Sequence, residues 1–373
     1  MLNSRKVLKI GDLKYSMSLQ KFCLSFKSSF PQRDEYFKQY SNGKLKISYY
    51  CHDILDKDSI SNEKSRLATY LKEHRGEYKG ILFDNPLSFQ ILPGENDIPL
   101  VFDMIDWYEE MYKTELVDGT GEKNRGNLQL ISSSLRELLK VIDGLVVQSP
   151  LMLDYAKSIG FDPARKNIII PNGYDHKVFY PYDPVKINEI KNELAEKFNI
   201  DLKDKIIVVY QGKLGKWYQD LEFAVADMNN DAKIVAFIIG DGALKDRLQR
   251  LSAGNIIFTG ALPLKSVPVY TNVADVCIFP VNDCSPIAIS EYIGVGKPIV
   301  ARKGRISWLV KDARNGCLVD EHNRWKENIF RAWENRAELS RNNRELALNL
   351  SWKSLARVYE DFLADVVHPS GEN

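Results

Sequence analysis

Hydrophobic residues along this chain gather in short, continuous runs of aliphatic and β-branched side chains bounded by turn residues. Strands that are buried on both faces of a sheet are apolar at nearly every position, so these runs predict parallel strands covered by helices on both sides. Twelve runs fit this pattern: residues 7–10, 46–50, 81–83, 100–102, 145–147, 168–170, 206–211, 234–239, 256–258, 276–279, 298–301 and 317–319.

Segments with apolar residues at helical spacing lie between these runs. They cover residues 61–73, 128–141, 151–158, 187–198, 244–251 and 326–350, and a closing helix is expected over 352–367. Strands alternating with helices form βαβ units, and six strands occurring twice predict an α/β protein with two doubly wound Rossmann-like domains. Prolines at 181 and 184 mark the junction. The expected domains are residues 1–181, completed by the closing helix, and residues 182–351.

Composition adds limits to this picture. A length of 373 residues suits two domains with separate cores, and 51 Lys+Arg against 50 Asp+Glu argue against disorder and against nucleic-acid binding. No apolar run approaches the ~20 residues that span a bilayer, and no signal-peptide core opens the chain, so a cytoplasmic protein is expected. The five cysteines are scattered without a C-x-x-C pair, so neither disulfides nor a metal cluster is expected.

Residues 1–50 differ from the rest, because they hold ten basic and three acidic residues with aromatic residues among them. This composition suits peripheral contact with anionic lipid at the inner membrane face, or binding of an anionic acceptor. A solvated surface is the alternative explanation.

Candidate chemistry follows the strands, because ligands of open α/β sheets bind beyond the carboxyl ends of the strands. After the strand 206–211, Gly212, Lys213 and Lys216 precede a helix that begins near residue 219. Glycine lets a backbone approach a ligand, and lysines with helix amides favour an anion such as a diphosphate. After the strand 234–239, Gly240 and Gly242 either cradle a ligand or form a tight turn.

A third segment follows the strand 276–279. Ser285 is a candidate helix N-cap and Pro286 a first helical residue, so that backbone amides up to Ile287 would face an anion. Glu291, further into that helix, is able to accept two hydrogen bonds from a ribose diol, and Asp283 to contact a different hydroxyl.

These segments resemble motifs of a known family. Asp283 and Glu291, followed by Gly296-Lys-Pro-Ile-Val300, resemble the E-x₇-E element and the "G-x-P-V-V" continuation of retaining glycosyltransferases of family 4. Pro171-Asn-Gly-Tyr-Asp175, with Phe179 and Pro181 after it, is similar to the family's "P-N-G-V-D-x-x-x-F-x-P" element. The resemblance covers residues 140–365 well and residues 1–95 poorly. It implies the GT-B fold, in which two Rossmann-like domains face each other across a cleft.

The resemblance also implies roles. Glu291 would bind the nucleotide ribose, Asp283 the donor sugar, and Lys213 the diphosphate in place of the family's arginine. The family's second cation falls at Gln219, which leaves Lys216 as its substitute. The expected co-substrate is a nucleotide-diphospho-sugar, UDP- or GDP-linked, with no metal and no other cofactor.

The fourth segment follows the strand 100–102 and contains Asp103 and Asp106, where family 4 enzymes usually have a histidine. One of these acids is a candidate general base for the acceptor hydroxyl, as an inverting transferase requires. A retaining transferase needs no such base, since the leaving diphosphate takes the proton. Asp106 is equally a candidate helix cap, with Glu109 completing a capping box.

The sequence therefore predicts a glycosyltransferase, retaining by its resemblance, that acts on a glycan or lipid-linked acceptor in bacterial surface glycan assembly. Two alternatives remain open at this stage. One is a nucleotide-sugar epimerase or phosphorylase on the same fold, and the other is a non-catalytic sugar-nucleotide-binding subunit.

Overall fold

A computed structural model describes residues 5–12, 36–37, 39–41, 45–52, 57–74, 76–94, 97–109, 121–215, 219–322 and 324–367. The described residues form two six-stranded parallel sheets. The strands are β1 (Arg5–Asp12), β2 (Leu45–His52), β3 (Tyr78–Phe83), β4 (Leu100–Met104), β5 (Gly144–Val147), β6 (Lys166–Ile169), β7 (Ile206–Gln211), β8 (Ile234–Ile239), β9 (Ile256–Gly260), β10 (Val276–Phe279), β11 (Ile299–Arg302) and β12 (Gly316–Val319).

Helices connect these strands. They are α1 (Lys57–Glu73), α2 (Gly121–Val141), α3 (Pro150–Ser158), α4 (Pro184–Phe198), α5 (Gln219–Met228), α6 (Lys245–Leu251), α7 (Val267–Val273), α8 (Ile287–Val295), α9 (Trp325–Glu334), α10 (Arg336–Leu350) and α11 (Trp352–Val367). None of the described helices is both long and apolar enough to cross a membrane.

The chain divides into two units, and each has its own sheet. Unit 1 comprises residues 1–171 and 355–373, with strand order β2-β1-β3-β4-β5-β6. The closing helix α11 packs on this sheet, because Val367 touches Gly80 of β3 and Val366 touches Gly144 of β5. A Cβ atom on either glycine would meet these valine side chains at under 3 Å, so the two glycines let the helix approach closely.

Unit 2 comprises residues 172–354, with strand order β12-β11-β10-β7-β8-β9. Alternate residues of its strands enter two cores on opposite faces of the sheet. Ile207 and Val209 of β7 belong to one core, whereas Ile206, Val208 and Tyr210 belong to the other. Helices α4, α7, α8 and α10 cover the first face, and α5, α6 and α9 cover the second. Burial on both faces explains why these strands are apolar at nearly every position.

Every predicted strand is present, and the predicted class of two doubly wound α/β domains is confirmed. One helix prediction needs correction, and one helix was not predicted. The segment expected as one helix over 326–350 divides at Asn335, whose backbone leaves the helical region and whose side-chain amide donates to the Arg331 carbonyl at 2.8 Å. Helix α7 was not predicted, because β-branched residues and Pro268 weaken its helical pattern; burial of six of its seven residues overrides that preference.

The boundary between the units falls after Pro171, whereas the sequence placed it after residue 181. The reason is a set of backbone contacts made before the two prolines. The Tyr174 amide donates to the Leu350 carbonyl at 3.2 Å, and the Trp352 amide donates to the Tyr174 carbonyl at 3.0 Å. These bonds fix the segment after Pro171 to unit 2.

Candidate functional site

The strand order of unit 2 reverses between β7 and β10, which pair with each other in parallel. From β7 the chain proceeds outward through β8 and β9, then crosses to β10 and proceeds in the other direction. Loops on either side of such a reversal diverge and leave a crevice at the carboxyl ends of the strands. The segment with Lys213 follows β7, and the segment with Asp283 follows β10. Lys213 and Asp283 therefore lie on the two loops that border this crevice.

A buried polar network joins the two sides of the crevice. The side-chain amide of Gln211, the last residue of β7, donates to the carboxylate of Glu291 in α8. The Thr271 hydroxyl in turn donates to the Gln211 side-chain oxygen at 3.0 Å, and the Gln211 backbone amide donates to the Tyr292 hydroxyl at 2.8 Å. Each partner fixes the next, so the Glu291 carboxylate has a defined position. The residue is buried but keeps 7% of its surface exposed.

Gly240 and Gly242, in the loop after β8, pack against the backbone of the loop after β7. A Cβ atom on Gly240 would lie 1.8 Å from the Gly212 carbonyl oxygen, and one on Gly242 would lie 2.4 Å from the Leu214 carbonyl oxygen. Both glycines also have positive φ, +142° and +151°. The Leu214 and Leu244 amides complete the contact, with bonds of 2.9 Å to the Asp241 and Leu214 carbonyls. Contact between the two loops thus explains these glycines without a ligand.

Lys213 is exposed at the start of this loop. Within the described ranges its ammonium group makes no hydrogen bond or ion pair, which leaves the charge open to a ligand. The Tyr210 hydroxyl donates to the Lys213 carbonyl at 3.1 Å and so holds the backbone under it. Lys216, the predicted substitute for a second cation, lies outside the described residues.

Helix α8 begins at Ile287, so the expected N-cap at Ser285 needs correction. Pro286 occupies the cap position in an extended conformation and offers no side-chain cap. Ser285 has a different partner, since its hydroxyl accepts the Asn172 backbone amide at 2.9 Å and its carbonyl accepts the Asn172 side-chain amide at 2.7 Å. The Ser290 hydroxyl then donates to the Asn172 carbonyl at 2.6 Å. The P-N-G segment thus clamps the first turn of the helix that bears Glu291.

Asp283 is exposed and accepts the Ser285 backbone amide at 3.2 Å. Surrounding protein raises the pKa of its carboxyl group by desolvation, while amides of Ser285 and Cys284 and the charge of Arg305 act to lower it. Solvent reaches this residue and offsets the desolvation, so we expect a charged carboxylate near neutral pH. Arg305 follows β11, and its backbone amide donates to the Asn282 side chain at 3.0 Å.

The acids predicted for the acceptor belong to unit 1. Asp103 lies within β4 and is 1% exposed, a position that is unsuited to direct contact with a large acceptor. Asp106 lies just after β4 and is partly exposed. Its carboxylate accepts a hydrogen bond from the Trp107 backbone amide at 2.7 Å. Asp106 therefore binds a backbone amide of the segment that follows β4, as a capping residue does. Glu109 binds elsewhere, to the Tyr155 hydroxyl and, at 3.6 Å, to Arg136.

Four polar residues of these sites were not predicted from the sequence: Gln211, Thr271, Asn172 and Arg305. A polar residue ending the apolar run 206–211 was the available signal for Gln211. The sequence held no such signal for Thr271, because the helix that contains it was not predicted. Asn172 stood within a quoted motif, but its partner Ser285 is 113 residues away along the chain.

Residues 205–335 match the protein family described as glycosyl transferases group 1. No curated protein sequence matches the chain. Among solved structures, sucrose-phosphate synthase from Thermosynechococcus elongatus is 16% identical, with a TM-score of 0.68 over 96% of this chain and 99% of that one. Anabaena Alr3699/HepE in complex with UDP is also 16% identical, with a TM-score of 0.67 over 96% and 100%.

WaaG, a glycosyltransferase involved in lipopolysaccharide biosynthesis, is 15% identical, with a TM-score of 0.64 over 98% of this chain and 100% of that one. At such identities the likeness establishes the fold, which is the two-domain GT-B fold that these structures share. The family match covers most of unit 2, including the loops and helix described above. The group 1 domain and the GT-B fold together identify the chain as a glycosyltransferase that resembles family 4.

Proposed function

We propose that this glycosyltransferase moves a sugar from a nucleotide-diphospho-sugar to an acceptor hydroxyl. The proposal rests on the Glu291 carboxylate, which Gln211 holds at the strand reversal of unit 2. Lys213 follows Gln211 by two residues along the chain, and its exposed ammonium group makes no hydrogen bond or ion pair with any residue that the structure describes. A fixed carboxylate suits the two hydroxyls of a ribose, and a nearby cation suits the diphosphate attached to that ribose. Alr3699/HepE has been solved with UDP and with UDP-glucose, which supports a uridine nucleotide as the first donor to test.

The donor residues have separate roles in this proposal. Glu291 binds the ribose, Asp283 binds a hydroxyl of the donor sugar, and Lys213 neutralises charge on the diphosphate. Amides near Ser285 to Ile287 add to this stabilisation as negative charge develops on the leaving group. The proposal needs no metal ion, because lysine and helix amides face the diphosphate.

The reaction we propose is a retaining transfer. The acceptor oxygen forms a bond to the anomeric carbon as the bond from that carbon to the diphosphate breaks. The acceptor proton passes to the leaving diphosphate oxygen on the same face, and the products are the glycosylated acceptor and a nucleoside diphosphate. Asp106 accepts a hydrogen bond from the acceptor and orients it. Nuclear magnetic resonance of the new anomeric proton would distinguish this outcome from inversion with Asp106 as base.

The biological setting is also part of the proposal. WaaG and the outer core galactosyltransferase WaaB have roles in lipopolysaccharide by their descriptions, which favours bacterial surface glycan assembly here too. We place the reaction in the cytoplasm, with residues 1–50 in peripheral contact with the inner membrane face. Most of that segment lies outside the described residues.

The proposal predicts that a nucleoside diphosphate stabilises the protein through Lys213. UDP, GDP, ADP and dTDP are compared by thermal shift, and one of them at a hundredfold excess over its dissociation constant should contribute about 2.7 kcal/mol. Lys213→Ala is expected to weaken that binding about tenfold to thirtyfold, because it removes a charge-assisted hydrogen bond. Lys233→Ala is the matched control, since this exposed lysine lies at the opposite, amino end of β8. Equal binding by both variants would contradict the role given to Lys213.

A second prediction tests the clamp on α8. Ser290→Ala removes the 2.6 Å bond to Asn172, and we expect UDP affinity to fall about threefold to tenfold because Glu291 is the next residue. Ser252→Ala is the control, since the Ser252 hydroxyl donates to the Leu248 carbonyl at the same 2.6 Å. Both variants should lose about 1 kcal/mol of unfolding free energy, but only Ser290→Ala should bind UDP less tightly in calorimetry. Unchanged affinity in Ser290→Ala would show that the clamp is structural alone.

A further inference from the structure

A short loop over residues 105–109, whose last two residues are helical, follows β4 at the carboxyl edge of the unit 1 sheet, and three neighbouring elements hold it. The bonds, with the donor first, are Gln148 Nε2 to the Ile105 carbonyl at 2.9 Å, the Tyr108 hydroxyl to the Asp84 carbonyl, and the Tyr155 hydroxyl to the Glu109 carboxylate. Asp84 follows β3, Gln148 follows β5 and Tyr155 lies in α3. The loop is therefore fixed at both of its ends.

Two residues between these anchors remain partly open to solvent: Asp106 and Trp107. The Trp107 indole packs against the Tyr155 ring with centroids 5.1 Å apart and an interplanar angle of 37°. Tyr155 is itself bound to Glu109, so the indole is supported by a ring that cannot rotate freely. The Asp106 carboxylate accepts the Trp107 backbone amide at 2.7 Å, which fixes the carboxylate against the backbone of the residue that bears the indole. An oriented aromatic ring and an oriented carboxylate thus belong to adjacent residues, both of which are partly exposed.

We propose that Trp107 and Asp106 form a binding site for a pyranose ring of a saccharide acceptor. A pyranose presents C–H groups on one face and hydroxyls around its rim, so it matches an aromatic surface with an adjacent hydrogen-bond acceptor. The loop lies where ligands of parallel sheets bind, beyond the carboxyl end of a strand. The inference rests on the proposed function, to which it adds the chemical class of the acceptor.

Charge on this loop favours a neutral sugar over a lipid phosphate. Asp106 and Glu109 on this loop are acidic, and the described cation Arg136 faces Glu109 at 3.6 Å. A phosphate group at Trp107 would lie against carboxylates, and like charges in proximity repel. A saccharide hydroxyl instead donates to the same oxygens. The occupant inferred is therefore the sugar ring of the acceptor.

Saturation-transfer difference nuclear magnetic resonance on the full chain tests this site without knowledge of the donor. The probes are methyl pyranosides of glucose, galactose and mannose, together with octyl phosphate as the lipid-phosphate probe. We expect at least one pyranoside to receive saturation, most strongly at C–H protons of one ring face. Trp107→Ala should reduce that signal at least fivefold, and Trp107→Phe should retain more than half of it.

Trp333→Ala is the matched control, because Trp333 is a half-buried indole of unit 2 with Arg336 over its ring. Asp106→Asn provides a second variant, expected to weaken pyranoside binding at least threefold if Trp107→Ala does not fold. Saturation of octyl phosphate alone, or pyranoside signals that none of the loop variants changes, would overturn the inference. UDP thermal shifts of the same samples report on unit 2. A wild-type protein that UDP does not stabilise would therefore count against the proposed function instead.

Discussion

Replacing Glu291 with alanine is expected to abolish stabilisation of the protein by UDP, or by whichever nucleoside diphosphate stabilises the wild type. The carboxylate offers two oxygens to a ribose diol, and each hydrogen bond to a charged group is worth about 1.5–3 kcal/mol. Loss of both predicts a dissociation constant raised by at least a hundredfold. In thermal shift at fixed UDP, the rise in melting temperature expected for the wild type, about 5–10 °C, should disappear.

Two further variants separate binding from folding in this experiment. Glu327→Ala is the matched control, because Glu327 is an exposed acid of unit 2 that pairs with Arg324 at 2.7 Å away from the strand reversal. Thr271→Val leaves Glu291 in place but removes the 3.0 Å bond that orients Gln211, so UDP affinity should fall by a smaller factor, about threefold to tenfold. Undiminished stabilisation of Glu291→Ala by UDP would remove the main support for the donor site.

The fold was predictable because its strands are buried on both faces. In β7, residues 206–211, every position is buried. The apolar run in the sequence therefore indicated directly that this strand is covered on both faces. Helix α7 shows the limit of this reasoning. Its β-branched residues and its proline weaken the local helical preference, and the packing that overrides this preference comes from distant parts of the chain.

The sequence indicates single candidate residues of the site, and their roles stay predictions, but it does not indicate which residues pair with each other. Glu291 is predicted as a donor residue from its position within a motif, but the Gln211 amide that holds it is 80 residues away along the chain. Ser285 was assigned as a cap from local sequence, and a distant partner, Asn172, takes its hydroxyl instead. The sequence did not decide whether Gly240 cradles a ligand or forms a tight turn. Its contact, the Gly212 carbonyl, belongs to the loop after a different strand, β7. Local patterns contain no information on such pairs.

Gly240→Ala should produce the largest loss of stability among the substitutions considered. A methyl group there would lie 1.8 Å from the Gly212 carbonyl oxygen, and backbone cannot move aside as a flexible side chain does. The φ of +142° is in addition a conformation that essentially only glycine adopts, at a cost of about 1–3 kcal/mol for other residues. Displacement of the packed loop adds about 1–3 kcal/mol. We expect a loss of about 4 kcal/mol in the unfolding free energy of unit 2, measured by urea denaturation.

Gly254→Ala is the control for this substitution. A Cβ atom on Gly254 meets no atom within 4 Å, so alanine there should change the unfolding free energy by less than about 0.5 kcal/mol. The comparison also bears on function, since the loop that Gly240 contacts contains Lys213. Any Gly240→Ala protein that remains folded should bind UDP less tightly than the Gly254→Ala protein. Equal stability and equal UDP affinity of the two variants would mean that the loops after β7 and β8 do not pack together in solution.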